Sequence, residues 1–233
     1  MDQTNTAAPP EDFAEMTLDE LRIALAPDIA ASAIFDGWNE TALVAAAEMA
    51  GADVDVAKLA FPPKPGSGRA MDMIDAWIAS VDIAMEKEWP PERLATLKVR
   101  ERIRTLVAFR LEAVEHIDEA VRRAMAIMAM PQNAARSARM GWRSADIMWR
   151  LAGDRSTDYN HYTKRAILAG IYSATLAYFI NDDSDGKVRT YQFLDRRIDG
   201  VMRFEKLKAR LTSREIELPS LTRFLGRLRY PSR

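Results

Sequence analysis

Apolar residues recur at helical intervals along almost the whole chain, and no stretch alternates apolar and polar residues long enough to predict a strand. Thr17 opens the first predicted helix. Glu20 follows it in capping-box register, and Leu18, Leu21, Leu25 and Ile29 continue at helical spacing. Pro27 is expected to bend or interrupt this helix. Trp38 and Asn39 then lead into TALVAAAEMAGADVDVAKLAFP. That string has the outline of a helix-turn-helix: an alanine-rich helix ending near Met49, a turn at Gly51, and a short helix over about Asp53 to Ala60. Pro62, Pro63, Pro65, Gly66 and Gly68 mark a break. Beyond it the pattern predicts helices over about 70–87, 91–110, 112–130 and 131–151, with Pro91 and Pro131 suited to first turns. A central helix follows over about Asp158 to Ile180. After the polar NDDSDG comes a helix over about 187–211 with Tyr191, Leu194, Ile198 and Val201 on one stripe. A last short helix is expected over about Glu217 to Arg229. The fold class that results is all-α, nine or ten helices, behind a polar, acidic, proline-bearing tail over 1–16 expected to be disordered.

The central segment is unlike the others. Gly153 suits the left-handed end of a helix, and Ser156, Thr157 and Asp158 can each cap the next. From Ala166 to Ile180 there is no charged residue, so the helix is apolar nearly all round and calls for cover on more than one side. Ala166, Gly170, Ser173 or Ala174, and Ala177 form a seam of small residues. Two readings stay open: the central helix of one monomer, or a helix shared between its own core and a second subunit. A membrane span needs roughly 20 apolar residues and is not expected here.

Composition narrows the chemistry. The 233 residues allow one domain of ordinary to large size or two small ones, and a net charge of -1 supplies no global field to draw nucleic acid. The absence of cysteine excludes disulfides, thiolate metal sites and a cysteine nucleophile. The opening MDQTNTAAPPEDFAEM has no apolar core and no arginine, and reads as neither a secretory signal nor a presequence. A bacterial cytoplasmic protein is the expectation. The second helix of the helix-turn-helix carries Asp53 and Asp55 with only Lys58 against them, so no nucleic-acid partner is expected. The basic run Lys98, Arg100, Arg102 and Arg104 reads as a solvated helix face. His116 has Ala113 three residues before it and Glu112 four before. His161 has Asp158, in a capping turn. Neither makes the Glu-x-x-His pairs of a di-iron bundle, and no nucleophile elbow or phosphate-binding glycine loop is present. The expectations are no metal, no cofactor, no catalytic residue and no enzyme.

Two further features bear on binding. Met125, Met128, Met130, Met140 and Met148 crowd the middle helices; methionine fills irregular core gaps, the plainer reading, and also adapts to flexible apolar ligands. Near the C-terminus, Leu218, Leu221, Phe224, Leu225 and Leu228 form one apolar face, flanked by Arg223, Arg227 and Arg229. That is the pattern of a helix lying in a membrane surface, the alternative being a face docked on its own bundle.

The string AGDRSTDYNHYTKRAILAGIY, with Asp146 and Trp149 upstream and FLDRRID over Phe193–Asp199, resembles the ubiquinone (coenzyme Q) biosynthesis accessory lipid-binding family. That family comprises the ninth coenzyme Q assembly protein of mitochondria and its alphaproteobacterial homologues. The resemblance covers about 141–211 and is weaker but collinear over the N-terminal half. It implies a TetR-repressor-like bundle and a homodimer that binds lipid without catalysis. The chain then divides into a tail over 1–16, a helix-turn-helix-like part over 17–65, a lipid-binding and dimerisation bundle over 66–211, and a membrane-binding helix over 214–233. The resemblance further implies an apolar cavity for an isoprenoid lipid or quinone precursor, for which Trp77, Ile103, Val107, Met125, Met128, Trp149 and Ile171 are the candidates. Membrane contact falls to Leu218, Leu221, Arg223, Phe224, Leu225, Arg227 and Leu228. A patch for a di-iron or other ring hydroxylase falls to Asp146, Met148, Asp158, His161, Tyr162 and Arg165. The sequence departs from mitochondrial members at His161, where they usually carry tryptophan. The function implied is presentation of an isoprenoid quinone precursor to the hydroxylase at the inner face of a bacterial membrane. The alternative is a TetR-type regulator that senses an apolar ligand.

Overall fold

In the computed structural model, which describes residues 13–155 and 159–213, helix starts are set by short polar side chains. Thr17 and Glu20 cap α1 (Leu18–Asp36) reciprocally: the Thr17 amide donates to the Glu20 carboxylate at 2.9 Å and the Glu20 amide to the Thr17 hydroxyl at 3.3 Å. Pro27 does not interrupt this helix, which stays continuous over 19 residues. Pro27 lies on the exposed side, while Leu21, Leu25 and Ile29 are buried and bind both halves to the same neighbours. The Asn39 side chain accepts from the amides of Thr41 and Ala42 to start α2 (Glu40–Ala50), and Gly51, at φ 75°, ends it. The Asp53 carboxylate accepts from Asp55 and Val56 to start α3 (Val54–Ala60). These three helices close on one another through buried alanines at 30, 33, 42, 46, 47 and 57.

α1 also packs along α4 (Gly68–Glu88) and against α7 (Asp118–Met128). Trp38 ties the same three regions together: its indole N–H donates to the Ala120 carbonyl at 2.9 Å, and its ring lies 5.4 Å from that of Trp77. The chain divides into one compact unit ending at Leu194 and another beginning at Asp195.

The helix expected over 91–110 is broken. One turn, α5 (Pro91–Leu94), is separated from α6 (Val99–Glu112) by a loop that Arg102 holds. Its guanidinium donates to the carbonyls of Leu97 at 2.8 Å, Ala95 at 3.0 Å and Ala152 at 2.9 Å. Arg102 is thus a staple between segments and not part of a solvated face. The next helix starts at Asp118 and not near 112, because the chain turns at His116, which takes a left-handed φ of 72°. A tight turn over Pro131–Asn133 opens α8 (Ala134–Leu151). α9 (Tyr159–Phe179) packs along α8, and α10 (Val188–Ser213) follows. Ten α-helices and no strand are present among the described residues, an all-α fold.

Candidate functional site

The apolar stripes of α4, α7, α8 and α9 do not meet completely. They leave a partly open cavity of about 490 Å³, within the roughly 300–1,000 Å³ of small-molecule sites. Its walls are almost wholly apolar: Trp77, Ile78 and Val81 from α4, Val121, Ala124, Met125 and Met128 from α7, Met140 from α8, and Leu176 from α9. Small residues at Gly141, Ala169 and Gly170 leave room where larger side chains would fill it.

One part of the wall is polar. Arg110, on α6, is 2% exposed and pairs with Asp82 on α4, which is also 2% exposed. The Ser144 hydroxyl of α8 donates to the other Asp82 oxygen at 3.2 Å. The Arg110 guanidinium lies over the Tyr172 ring of α9, 4.8 Å from its centre. Arg110, Ser144 and Tyr172 all line the cavity. Burial opposes the Arg110 charge, but Tyr172 and Asp82 outweigh it and hold the guanidinium above its ordinary range. The Arg110 Nε–H is buried and has no acceptor among the described residues. The Asp82 carboxylate also lies 3.7 Å from Arg143, which is bonded at 2.7 Å to Asp75.

Of the lipid candidates, Trp77, Met125 and Met128 line this cavity. Ile103, Val107, Trp149 and Ile171 do not line the cavity. Ile103 and Val107 are buried with Leu106 and Leu111 in the core face of α6. The Trp149 indole donates to the Lys164 carbonyl at 3.0 Å, and the Lys164 ammonium covers its ring. Ile171 precedes Tyr172 and so points about 100° away from it around the helix. The polar cluster was not expected from the sequence. Its one signal is that Arg110 stands at an apolar position of the stripe Ile103, Leu106, Val107, Leu111.

A second site forms where α8 turns into α9. Gly153, at φ 88°, allows the reversal, and a Cβ there would lie 3.1 Å from the Arg102 guanidinium. The reversal brings Arg165, 2% exposed, against two carboxylates: Nε to Asp146 at 2.5 Å and Nη1 to Asp154 at 3.1 Å. The same Nη1 donates to the His161 carbonyl at 3.0 Å. Lys164 adds a second cation to Asp154 at 2.7 Å, and Arg150 a second to Asp146 at 3.1 Å. Of the patch expected for a partner, Met148 is fully buried in the α8 core stripe with Ser144, Ile147 and Leu151, so no partner can reach it. Arg165 is likewise interior. His161 and Tyr162 lie at the surface, Tyr162 at 62% exposure, with rings 5.1 Å apart, and Trp142 joins them at 5.9 Å from Tyr162. Asp146 is partly exposed beside them. Trp142 was not among the expected residues. Asp158 and the membrane candidates Leu218, Leu221, Arg223, Phe224, Leu225, Arg227 and Leu228 lie outside the described residues.

The small-residue seam of α9 is open to solvent in the single chain: Ala166, Gly170, Ser173 and Ala174 are exposed, while Leu168 and Thr175 face inward. On α3, the cation Lys58 pairs with Glu40 at 3.3 Å, and Asp55 is exposed. Among the described residues no cluster of three histidines or carboxylates could hold a metal, and no helix is long and apolar enough to cross a membrane.

Comparison with known proteins adds the following. Residues 134–205, from the start of α8 into α10, match the COQ9 family model. The ubiquinone biosynthesis protein COQ9 of rat mitochondria is 32% identical over 169 residues, which cover 71% of this chain and 54% of that protein. The human protein is 30% identical over the same length, covering 71% and 52%. The bovine protein is 42% identical over 80 residues, covering 34% and 25%. The chain thus spans about half the length of the curated relatives it matches over the longer stretch. Among solved structures, a TetR transcriptional regulator from Nitrosomonas europaea superposes with a TM-score of 0.55 at 20% identity, covering 78% of this chain and 96% of that one. The fold is TetR-like.

Proposed function

We propose, from the premise that this chain carries a COQ9-family domain over residues 134–205 and is homologous to the mitochondrial COQ9 proteins, that it is a non-catalytic accessory protein of ubiquinone biosynthesis. In this reading it binds an isoprenoid quinone precursor and presents it at a membrane surface to a ring hydroxylase. The observation that carries the reading is the cavity: large, apolar on nearly every wall, and polar where Arg110, Asp82, Ser144 and Tyr172 meet. An isoprenoid tail suits the first property and an oxygenated ring the second. The absence of a catalytic role is likewise a proposal, supported by the engagement of Asp82 and Arg110 with each other.

The remaining parts follow as proposals of the same kind. The aromatic surface of Trp142, His161 and Tyr162, backed by the Arg165 staple, is offered to the hydroxylase. Aromatic anchors are the side chains that carry interface energy, so the ring missing at position 161 is supplied by Trp142. The open seam of α9 suits a second copy of the chain. A TetR-type regulator is the competing reading, since the fold is shared. The acidic exposed face of α3 and the engagement of Lys58 speak against it, because a phosphate lattice needs cations. Organic extraction of the purified protein is expected to release a prenylated lipid or quinone detectable by mass spectrometry. Lipid-free extracts, together with no uptake of added prenylated quinone, would end this reading. A sequence-specific gel shift at moderate salt would replace it with the regulator.

A further inference from the structure

Among the residues that line the cavity, Arg110 alone is charged. Asp82 takes up its Nη1, and Tyr172 covers one face of the guanidinium. Its Nε–H is left buried without an acceptor among the described residues. A buried donor without a partner is costly to maintain, and strain, a water, an ion or a ligand is what accounts for one. The position is also specific in charge. Asp82 already compensates Arg110, so the pair is neutral overall. The nearest further cation, Arg143, lies 3.7 Å from Asp82 and is committed to Asp75 at 2.7 Å. An anionic head entering here meets an arginine whose charge Asp82 already balances, and gains little from it.

We propose that Arg110 is the donor that seats the head of the bound molecule, and that the head it selects is an uncharged oxygen acceptor, a ring carbonyl or ether. The proposal rests on the reading that the cavity takes an apolar tail. Asp82 and Ser144 then act as positioning residues: they hold the guanidinium at the cavity wall. Trp77, Met125 and Met128 hold the tail by contact alone and do not discriminate between heads.

The test uses the full-length chain freed of lipid, with displacement of the neutral apolar dye phenylnaphthylamine as the readout. Three probes carry straight tails of nine or ten carbons: a decyl-substituted dimethoxybenzoquinone, decylbenzene and decanoate. The quinone is expected to bind on the order of tenfold more tightly than decylbenzene, the usual effect of one hydrogen bond to a charged donor. Decanoate is expected to bind more weakly than the quinone. The double variant Asp82→Leu/Arg110→Met removes the pair together and leaves no unpaired charge. It is expected to bind decylbenzene as the parent does and to lose the preference for the quinone. Equal binding of quinone and decylbenzene by the parent overturns the anchor and leaves the cavity reading standing. Tighter binding of decanoate overturns the choice of an uncharged head. An unchanged quinone preference in the double variant also overturns the anchor. Failure of the dye, the quinone and decylbenzene alike to bind the parent overturns the cavity reading, and the anchor with it. The comparison of probes on the parent chain decides the matter even if the variant does not fold.

Discussion

The chain buries two arginines against aspartates, and the two sites are finished differently. Arg165, at the corner between α8 and α9, is shared between Asp146 and Asp154 and donates to the His161 carbonyl as well. Each of those carboxylates has a second cation, Arg150 or Lys164. Arg110, on the cavity wall, has one carboxylate, one aromatic face and an N–H with no acceptor. The first arrangement fixes a turn in the chain. The second leaves one donor unpaired beside an apolar space. Buried ion pairs are therefore not one class: they differ in how many partners complete them.

The largest effect is expected from breaking the cavity pair on one side only. Arg110→Met leaves Asp82 buried with Ser144 and with Arg143 at 3.7 Å, itself committed to Asp75, and roughly 3–5 kcal/mol of stability is expected to go. Adding Asp82→Leu is expected to restore most of it, since an apolar replacement of both partners leaves nothing uncompensated. Urea denaturation of the two variants beside the parent measures both values. A double variant as unstable as the single one would mean that the pair is structural, and the contrast with Arg165 would dissolve.

A smaller loss is expected at the corner. Arg165→Met leaves Asp154 with Lys164 and Asp146 with Arg150, so about 1.5–3 kcal/mol is the expected change, the range of a hydrogen bond to a charged group. Amide hydrogen exchange is expected to quicken around Gly153 and at the start of α9, while dye binding in the cavity stays as it was. A loss equal to that of Arg110→Met would show that the second cations do not share the load.

These two sites also divide what the sequence discloses from what it withholds. Helix starts at Thr17, Asn39 and Asp53 are legible because cap and helix are neighbours in the chain. The break before Val99 is not, because Arg102 closes it with a carbonyl 50 residues away at Ala152. Trp77, Met125 and Met128 line the cavity, but neither their type nor the motif sets them apart from Ile103, Val107, Trp149 and Ile171, which do not. Arg110 is legible only as a misplaced charge in an apolar stripe, since its partner Asp82 lies 28 residues earlier. The family resemblance implies a surface patch at the motif around Arg165, whereas the left-handed turn at Gly153 folds Arg165 inward and leaves Tyr162 and His161 outside. Met148 fails for the same reason: its place in a motif says nothing of which face of α8 it occupies.

A further aspartate tests whether the number of partners, and not the presence of an opposite charge, decides how firmly a buried carboxylate is held. Asp182, before α10, accepts from the amide and hydroxyl of Ser184 at 3.0 and 2.6 Å and from those of Thr190 at 2.8 and 2.6 Å. Arg189 stands off at 3.8 Å. Burial favours the protonated acid, but the four donors from Ser184 and Thr190 prevail and hold the carboxyl far below its ordinary value of 3.8. Because the folded pKa is the lower one, the unfolded chain binds the proton more tightly. The stabilisation is thus complete above about pH 4 and fades as pH falls from there toward the folded pKa. Asp182→Asn keeps one acceptor and loses the charge, so about 1 kcal/mol of stability is expected to be lost at neutral pH. The gap between variant and parent is expected to narrow below about pH 4, where the parent's carboxylate loses its advantage. A gap that stays constant between pH 7 and pH 3 would show that the hydrogen-bond geometry alone, and not the anion it stabilises, anchors the start of α10. Satisfaction by neutral donors would then be equivalent to satisfaction by cations, and the surplus at Arg165 would carry no weight in the contrast with Arg110.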